Sequence, residues 1–214
     1  MPNRRGVLLG LAAALLSRGS GQAQPIRRVL FIGNSFLREH DVPTRIARLA
    51  EAAGKPIDIH VIVRPGARLS GHWGRKIVNE TLRWGWEAVV LQDHSLEAMT
   101  DERRAASATA IRRIADAVAS AAVVLVVPWS RAPGHRLYDQ AGMPDGPAEM
   151  SRRATEHYAT QAAATGALIA PVASAWDGAI AEGAVLHAPD GYHANGEGAA
   201  LAAEEIWRTL APIL

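Results

Sequence analysis

The stretch Val-Leu-Phe-Ile-Gly-Asn-Ser at residues 29–35 constrains the fold of this chain more than any other part. Its first four residues are apolar without a break, which predicts a strand that is buried on both faces, as in a parallel sheet. Gly33 and Asn34 tolerate the backbone of a sharp turn. We therefore expect Ser35 at the carboxyl end of this strand, where open α/β sheets bind their ligands.

A serine in this place is a candidate nucleophile if a base can reach it, and otherwise it simply caps the next helix. The segment Asp190-Gly-Tyr-His193 offers such a base far downstream. An aspartate and a histidine three residues apart fit on one turn, where the carboxylate can orient the imidazole. We therefore predict Ser35 as nucleophile, His193 as base and Asp190 as the orienting acid.

Gly-Asn-Ser after the first strand and Asp-x-x-His before the last helix resemble the motifs of the SGNH hydrolases, the GDSL-like esterase superfamily. The resemblance extends from about Val29 to Leu210. It implies a three-layer α/β/α sandwich with a parallel five-stranded sheet in the flavodoxin-like order 2-1-3-4-5. It also implies hydrolysis of acyl esters, such as O-acetylated carbohydrates, by a Ser-His-Asp mechanism without a cofactor.

Apolar runs alternate with helical patterns along the chain, which independently indicates an α/β fold. Strands are predicted at 29–32, 57–63, 87–91, 122–127 and 167–172, and helices at 43–53, 76–82, 101–120, 149–164, 174–182 and 199–210. The stretch 128–147 is rich in proline and glycine and predicts a long loop. Repeats and linkers are lacking, so residues 24–214 are predicted to form one domain.

The resemblance also implies an oxyanion hole that includes the backbone N–H groups of Ser35 and of a glycine after the second strand. Gly66 occupies that place, although its Pro-Gly pair could equally serve only as a turn. The third donor is usually the asparagine of Gly-x-Asn-Asp, but this chain has Gln92-Asp-His94-Ser instead. We favour Gln92 over His94, because a neutral amide donates at any pH. The alternative is that both side chains only close the loop.

A substrate pocket is predicted from polar and aromatic residues beside these motifs. Its candidate members are Asn34, His72, Trp73 and Trp129. Trp129 lies in the long loop with His135 and Tyr138, and such a set could stack on a sugar. A plain excursion of the chain is the alternative for this loop.

Other classes of function find little support in the sequence. There is no cysteine, so disulfides, a thiol nucleophile and thiolate metal sites are excluded. Phosphate-binding glycine motifs are lacking, and the histidines do not show metal-ligand spacing. We therefore expect no cofactor, no metal and a small-molecule or carbohydrate ester as partner. The altered third motif favours one rival, a non-catalytic carbohydrate-binding protein with the same fold. A second rival is a surface-associated interaction protein that is held by an uncleaved leader.

The first 23 residues are predicted to be an export signal. Arg4 and Arg5 precede an apolar run to Leu16, and Gly21-Gln-Ala23 offers a cleavage site. The Arg-Arg pair also resembles a twin-arginine signal. Removing residues 1–23 removes three arginines and no acidic residue, so the formal net charge changes from +2 to about −1. The mature chain therefore gives no electrostatic argument for nucleic-acid binding, and no stable membrane span is expected in it.

We predict that the exported protein begins near Gln24, in the periplasm or the medium. The intact mass of protein isolated from these compartments measures this directly. A full-length mass there would contradict cleavage, and an uncleaved leader would then hold the protein at a membrane surface.

Overall fold

A computed structural model describes residues 27–118 and 120–214, so the predicted export signal lies outside the described residues. Five parallel strands form one sheet in the order β2-β1-β3-β4-β5. The strands are β1 (Arg27–Gly33), β2 (Ile57–Val63), β3 (Ala88–Leu91), β4 (Ala122–Val126) and β5 (Leu168–Ala170). The predicted strand order and the α/β class are confirmed.

Helices cover both faces of the sheet. They are α1 (Ser35–Arg38), α2 (Val42–Ala52), α3 (Leu69–His72), α4 (Lys76–Thr81), α5 (Asp101–Ala117), α6 (Pro147–Thr165), α7 (Val172–Ala181) and α8 (Gly196–Leu210). Successive strand side chains point to opposite faces, so a strand between two helical layers must be apolar at every position. In β1, Leu30 and Ile32 pack in the core beneath α3 to α6, whereas Val29 and Phe31 face α2, α7 and α8.

The long loop after β4 and the short segment after β1 differ in how well the sequence predicts them. Residues 127–146 form a loop between β4 and α6, close to the predicted bounds. The residues after β1 were not assigned to a helix from the sequence, but they form α1 followed by a 3₁₀ turn, Glu39–Asp41. Helices of three or four residues are too short to show a periodic pattern, so only their buried Phe36 and Leu37 mark them.

The reversal of strand order places a crevice between β1 and β3. From β1 the chain crosses first to β2 on one side, and it later returns to β3 on the other side. The two strands remain paired to their ends, where the N–H of Gln92 donates to the carbonyl of Ile32 (2.9 Å). The residues after Gly33 and Leu91 therefore meet at the carboxyl edge of the sheet, the usual ligand site of such folds.

The start of α8 depends on one glycine, because a Cβ at Gly198 would overlap the carbonyl oxygen of Leu186 and the ring of Trp176. We predict that Gly198→Ala lowers the free energy of unfolding by about 1–3 kcal/mol, the usual cost of overpacking. Gly196→Ala in the same helix is the matched control, since no atom lies within 4 Å of the added Cβ. Urea denaturation of both variants measures the difference, and equal stabilities would contradict the close contact.

Candidate active site

The turn after β1 is held by contacts that only glycine and asparagine can provide. A Cβ at Gly33 would lie 2.8 Å from Leu37 Cδ1 and 3.0 Å from Gln92 Oε1, so a side chain does not fit. Asn34 caps α1, because its Oδ1 accepts a hydrogen bond from the N–H of Phe36 (3.1 Å). Its Nδ2 donates to the carbonyl of Ala67 (3.0 Å), which ties the turn to the loop after β2. Ser35 is thereby fixed as the first residue of α1.

The serine, histidine and aspartate proposed from the sequence form one hydrogen-bonded chain. Ser35 Oγ lies 3.0 Å from His193 Nε2, and His193 Nδ1 lies 2.7 Å from Asp190 Oδ2. An ionised carboxylate can only accept, so the proton of the neutral imidazole is on Nδ1. Nε2 is then an acceptor for the hydroxyl of Ser35. This is the arrangement in which an imidazole can remove a proton from serine.

Asp190 is held in its ionised form. Burial by itself would raise its pKa, but hydrogen bonds from the His193 side chain and from the backbone N–H groups of His193 and Tyr192 outweigh burial. The pKa of Asp190 is therefore lowered to about 2. The carboxylate keeps its charge over the whole pH range in which a histidine can act as a base.

The loop between α7 and α8 (residues 182–195) carries the predicted catalytic residues Asp190 and His193 and is called the catalytic loop here. It is braced from two sides. Ala188 N–H donates to the carbonyl of His193 (2.8 Å) and closes the loop on itself. Ala132 N–H donates to the carbonyl of Gly191 (2.9 Å), which joins the catalytic loop to the long loop after β4. Gly191 has a φ of +64°, and a Cβ there would lie 3.2 Å from that of Ala132. The long loop is thus part of the site's scaffold.

Two backbone N–H groups that the sequence predicts for the oxyanion hole make no hydrogen bond within the described parts of the chain. The first is that of Ser35, since the cap of α1 is satisfied through Phe36, Leu37 and Arg38. The second is that of Gly66, which is exposed and has a φ of +67°. Both groups remain available to a bound molecule.

The side chain of Gln92 is not available in this way. Its Oε1 accepts from the backbone N–H of Asn34 (3.2 Å), and its amide nitrogen donates to the carbonyl of Asp93. The residue is 1% exposed. Gln92 therefore braces the turn that carries Ser35, and the geometry argues against our preference for it as a donor to substrate.

The side chain of His94, in contrast, has a hydrogen-bond donor that is unpaired within the described residues. Its Nδ1 accepts from the N–H of Leu96 (3.3 Å), which leaves the proton on Nε2. That N–H makes no hydrogen bond to another described residue. Burial, and after it the positive charge of Arg131, lowers the pKa of His94 to about 4. At neutral pH the imidazole is uncharged and its Nε2–H is a fixed donor.

A buried carboxylate connects the loops that carry Gly66 and His94. Asp93 is fully buried, and its Oδ1 accepts from the N–H groups of Leu69 and His94 (2.8 Å each). Its Oδ2 accepts from Ser107 Oγ (2.8 Å), which is in turn 3.1 Å from His157 Nε2. The residue between Gln92 and His94 thus holds both loops in register, a role that the sequence analysis missed.

The predicted substrate pocket requires correction. Three of its four members are enclosed in the protein, with exposures of 1% for Asn34, 0% for His72 and 2% for Trp129. His72 Nε2 donates to the carbonyl of Gly33 (2.8 Å), and Trp129 is stacked between Phe36 and Trp176. These residues support the site from within, because their side chains make their contacts inside the protein. Trp73 is half-buried against the core.

Arg131 is a further residue of the site that the sequence analysis did not single out. It is 5% exposed, and its guanidinium carbon lies 3.2 Å from the ring centroid of Tyr192, the neighbour of His193. An arginine in a loop rich in proline and glycine is expected in solvent, so no local pattern indicates its burial.

Neither a metal site nor a membrane span is found in the described residues. Over 27–118 and 120–214, no cluster of three or more histidine, aspartate or glutamate side chains is placed to hold a metal ion. Within the same residues, no helix combines the length and the apolarity needed to cross a bilayer.

Comparison with known proteins finds relatives through structure. No protein-family model matches the chain, and no curated protein matches it. A protein from Slackia heliotrinireducens, described as a candidate SGNH hydrolase, is 29% identical with a TM-score of 0.75. The match covers 87% of this chain and 100% of that one.

Two more distant structures share the fold. A lipase/acylhydrolase from Enterococcus faecalis is 17% identical (TM-score 0.68; 87% of this chain, 96% of that one). An acetylxylan esterase from Geobacillus stearothermophilus is 13% identical (TM-score 0.64; 86% and 94%). The predicted resemblance to the SGNH hydrolases is therefore confirmed, and the chain has the fold that these hydrolases share.

Proposed function

We propose that this protein is an exported serine esterase in which Ser35, His193 and Asp190 perform the catalysis. The observation that carries the proposal is the unbroken chain from Ser35 Oγ through the imidazole to the Asp190 carboxylate, with distances of 3.0 and 2.7 Å. Side chains separated by more than 150 residues in sequence meet in this geometry, which a purely structural serine cap would not require.

In the proposed reaction, Ser35 Oγ attacks the ester carbonyl while its proton passes to His193 Nε2. The C–O bond to the alcohol then breaks, and the imidazolium returns the proton to the leaving oxygen. Water, deprotonated by the same imidazole, hydrolyses the acyl-enzyme and restores the serine. Asp190 stabilises the imidazolium at each stage and keeps the ring in the correct tautomer.

The tetrahedral intermediate would be stabilised by three N–H groups. Two are the unpaired backbone groups of Ser35 and Gly66. We assign the third to His94 Nε2–H, which takes the place of the asparagine side chain in the family pattern. An uncharged imidazole with a fixed proton can donate a hydrogen bond as an amide does.

We propose an acyl ester as substrate, with O-acetylated carbohydrates as the first class to test. The support is the fold shared with an acetylxylan esterase and with a lipase/acylhydrolase. Activity on a polysaccharide outside the cell agrees with the export signal predicted in residues 1–23.

Ser35→Ala tests the nucleophile. We expect kcat for 4-nitrophenyl acetate to fall by several orders of magnitude, because the group that forms the covalent intermediate is removed. Ser174→Ala, at an exposed serine of α7, is the control and should keep wild-type turnover. A fluorophosphonate should label the wild type and the control but not Ser35→Ala. If Ser35→Ala keeps more than about a tenth of the activity, the assignment fails.

His94→Ala tests the third donor. We expect kcat to fall by roughly 10²–10³ with little change in KM, since the hydrogen bond matters most in the transition state. His94→Gln is the matched variant, because its amide N–H reaches to about the position of imidazole Nε2–H. It should recover most of the activity.

The pH dependence of kcat distinguishes hydrogen-bond donation by an uncharged His94 from an effect of a positive charge on His94. The pKa of His94 is about 4, so His94→Gln and the wild type should show the same profile at neutral pH. A loss of less than about threefold in His94→Ala would leave the two backbone groups as the only donors, and it would favour the rival interpretation as a decayed, carbohydrate-binding protein.

A further inference from the structure

Arg131 is a buried cation without an anionic partner among the described residues. The residue is 5% exposed, and its guanidinium takes part in none of the ion pairs between the described residues. Its Nε and Nη1 atoms are enclosed and make no hydrogen bond. Removing a charge from water without compensation costs several kcal/mol, so such a group usually has an opposite charge or a function nearby.

The position of Arg131 is fixed by its surroundings. Its guanidinium packs on the Tyr192 ring (3.2 Å to the centroid), and its carbonyl accepts from Tyr138 Oη (2.8 Å). The next residue, Ala132, is hydrogen-bonded to Gly191 of the catalytic loop. The cation–π contact with Tyr192 offsets only part of the free-energy cost of burying the charge. The guanidinium thus lies beside the catalytic loop, and part of its hydrogen-bonding capacity is unused.

The charge of Arg131 acts on two residues of the site, His94 and Asp190. After burial, it is the largest influence that lowers the pKa of His94. The carboxylate of Asp190 attracts it, but that carboxylate already accepts from His193 and from two backbone N–H groups. Burial lowers the pKa of Arg131 to about 10, so it remains a cation at neutral pH. The positive charge is therefore left for a bound molecule.

We propose that Arg131 binds a carboxylate on the alcohol part of the substrate, so that the enzyme prefers acyl esters of acidic alcohols such as acetylated sugar acids. This inference rests on the proposed esterase function and specifies its substrate class. The alcohol side follows from the location of Arg131, since it packs against the loop that bears His193. That imidazole returns its proton to the leaving alcohol, which must lie next to it.

A matched pair of substrates tests the proposal. 4-Acetoxybenzoate and 4-acetoxybenzamide carry the same acetyl group and differ in the charge of the alcohol. We define the selectivity as the ratio of kcat/KM for the first to that for the second. Intrinsic reactivity cancels when this ratio is compared between variants. A charge-assisted hydrogen bond corresponds to roughly tenfold to a hundredfold in such a ratio.

We expect Arg131→Met to lower the selectivity at least about tenfold, mainly through a higher KM for the carboxylate. Arg131→Lys keeps the charge but lacks the planar guanidinium. Its selectivity should lie between those of the wild type and Arg131→Met. Arg136→Met, which removes an exposed arginine of the same loop, is the control and should keep wild-type selectivity. An unchanged ratio in Arg131→Met, including an equal loss on both substrates, would overturn the proposal and make Arg131 a support of the loop.

If Arg131→Met does not fold, product inhibition of the wild-type enzyme tests the proposal. 4-Hydroxybenzoate should then inhibit hydrolysis of 4-nitrophenyl acetate about tenfold or more strongly than 4-hydroxybenzamide. Equal inhibition would overturn the proposal. A preference for mono-4-nitrophenyl glutarate over 4-nitrophenyl pentanoate would contradict the alcohol side. Ser35→Ala distinguishes a failure of this proposal from a failure of the proposed esterase function. The esterase function is contradicted only if Ser35→Ala still hydrolyses the neutral ester.

Discussion

The close approach of the turn after β1 to the end of β3 is the constraint on which the site depends. Gly33 has no room for a side chain because Leu37 and Gln92 occupy the space beside it. Two polar groups of the turn are paired within the protein, since Gln92 Oε1 accepts from Asn34 N–H and His72 donates to the carbonyl of Gly33. Buried hydrogen bonds of this kind restrict the turn to one geometry. Ser35 therefore enters α1 at a fixed place opposite His193.

The sequence predicted well whatever depends on local pattern. The strands are apolar runs because both faces of the sheet are covered, and a run of that kind is visible without a structure. Asp190 and His193 are three residues apart, so their contact is a property of one turn. Only the distance to Ser35 needed the whole fold, and there the resemblance to a known superfamily supplied the partner.

The errors concern residues whose surroundings come from distant parts of the chain. Trp129 was assigned to a pocket from its loop, but stacking on Phe36 and Trp176 takes it into the core. Gln92 was preferred for its amide, yet that amide is occupied by the backbone on either side. The burial of Arg131 has no local pattern at all. Side-chain type shows what a group can do, and tertiary contacts decide whether it is free to do it.

The exchange of an amide for an imidazole at the third motif requires that the ring be uncharged and that its proton be fixed. Leu96 N–H on Nδ1 meets the second requirement, and burial together with Arg131 meets the first. A protonated His94 would repel Leu96 N–H and would place a second cation close to Arg131, so both contacts oppose the charged form. The same arginine thus favours a neutral donor at His94 and leaves a positive charge beside His193.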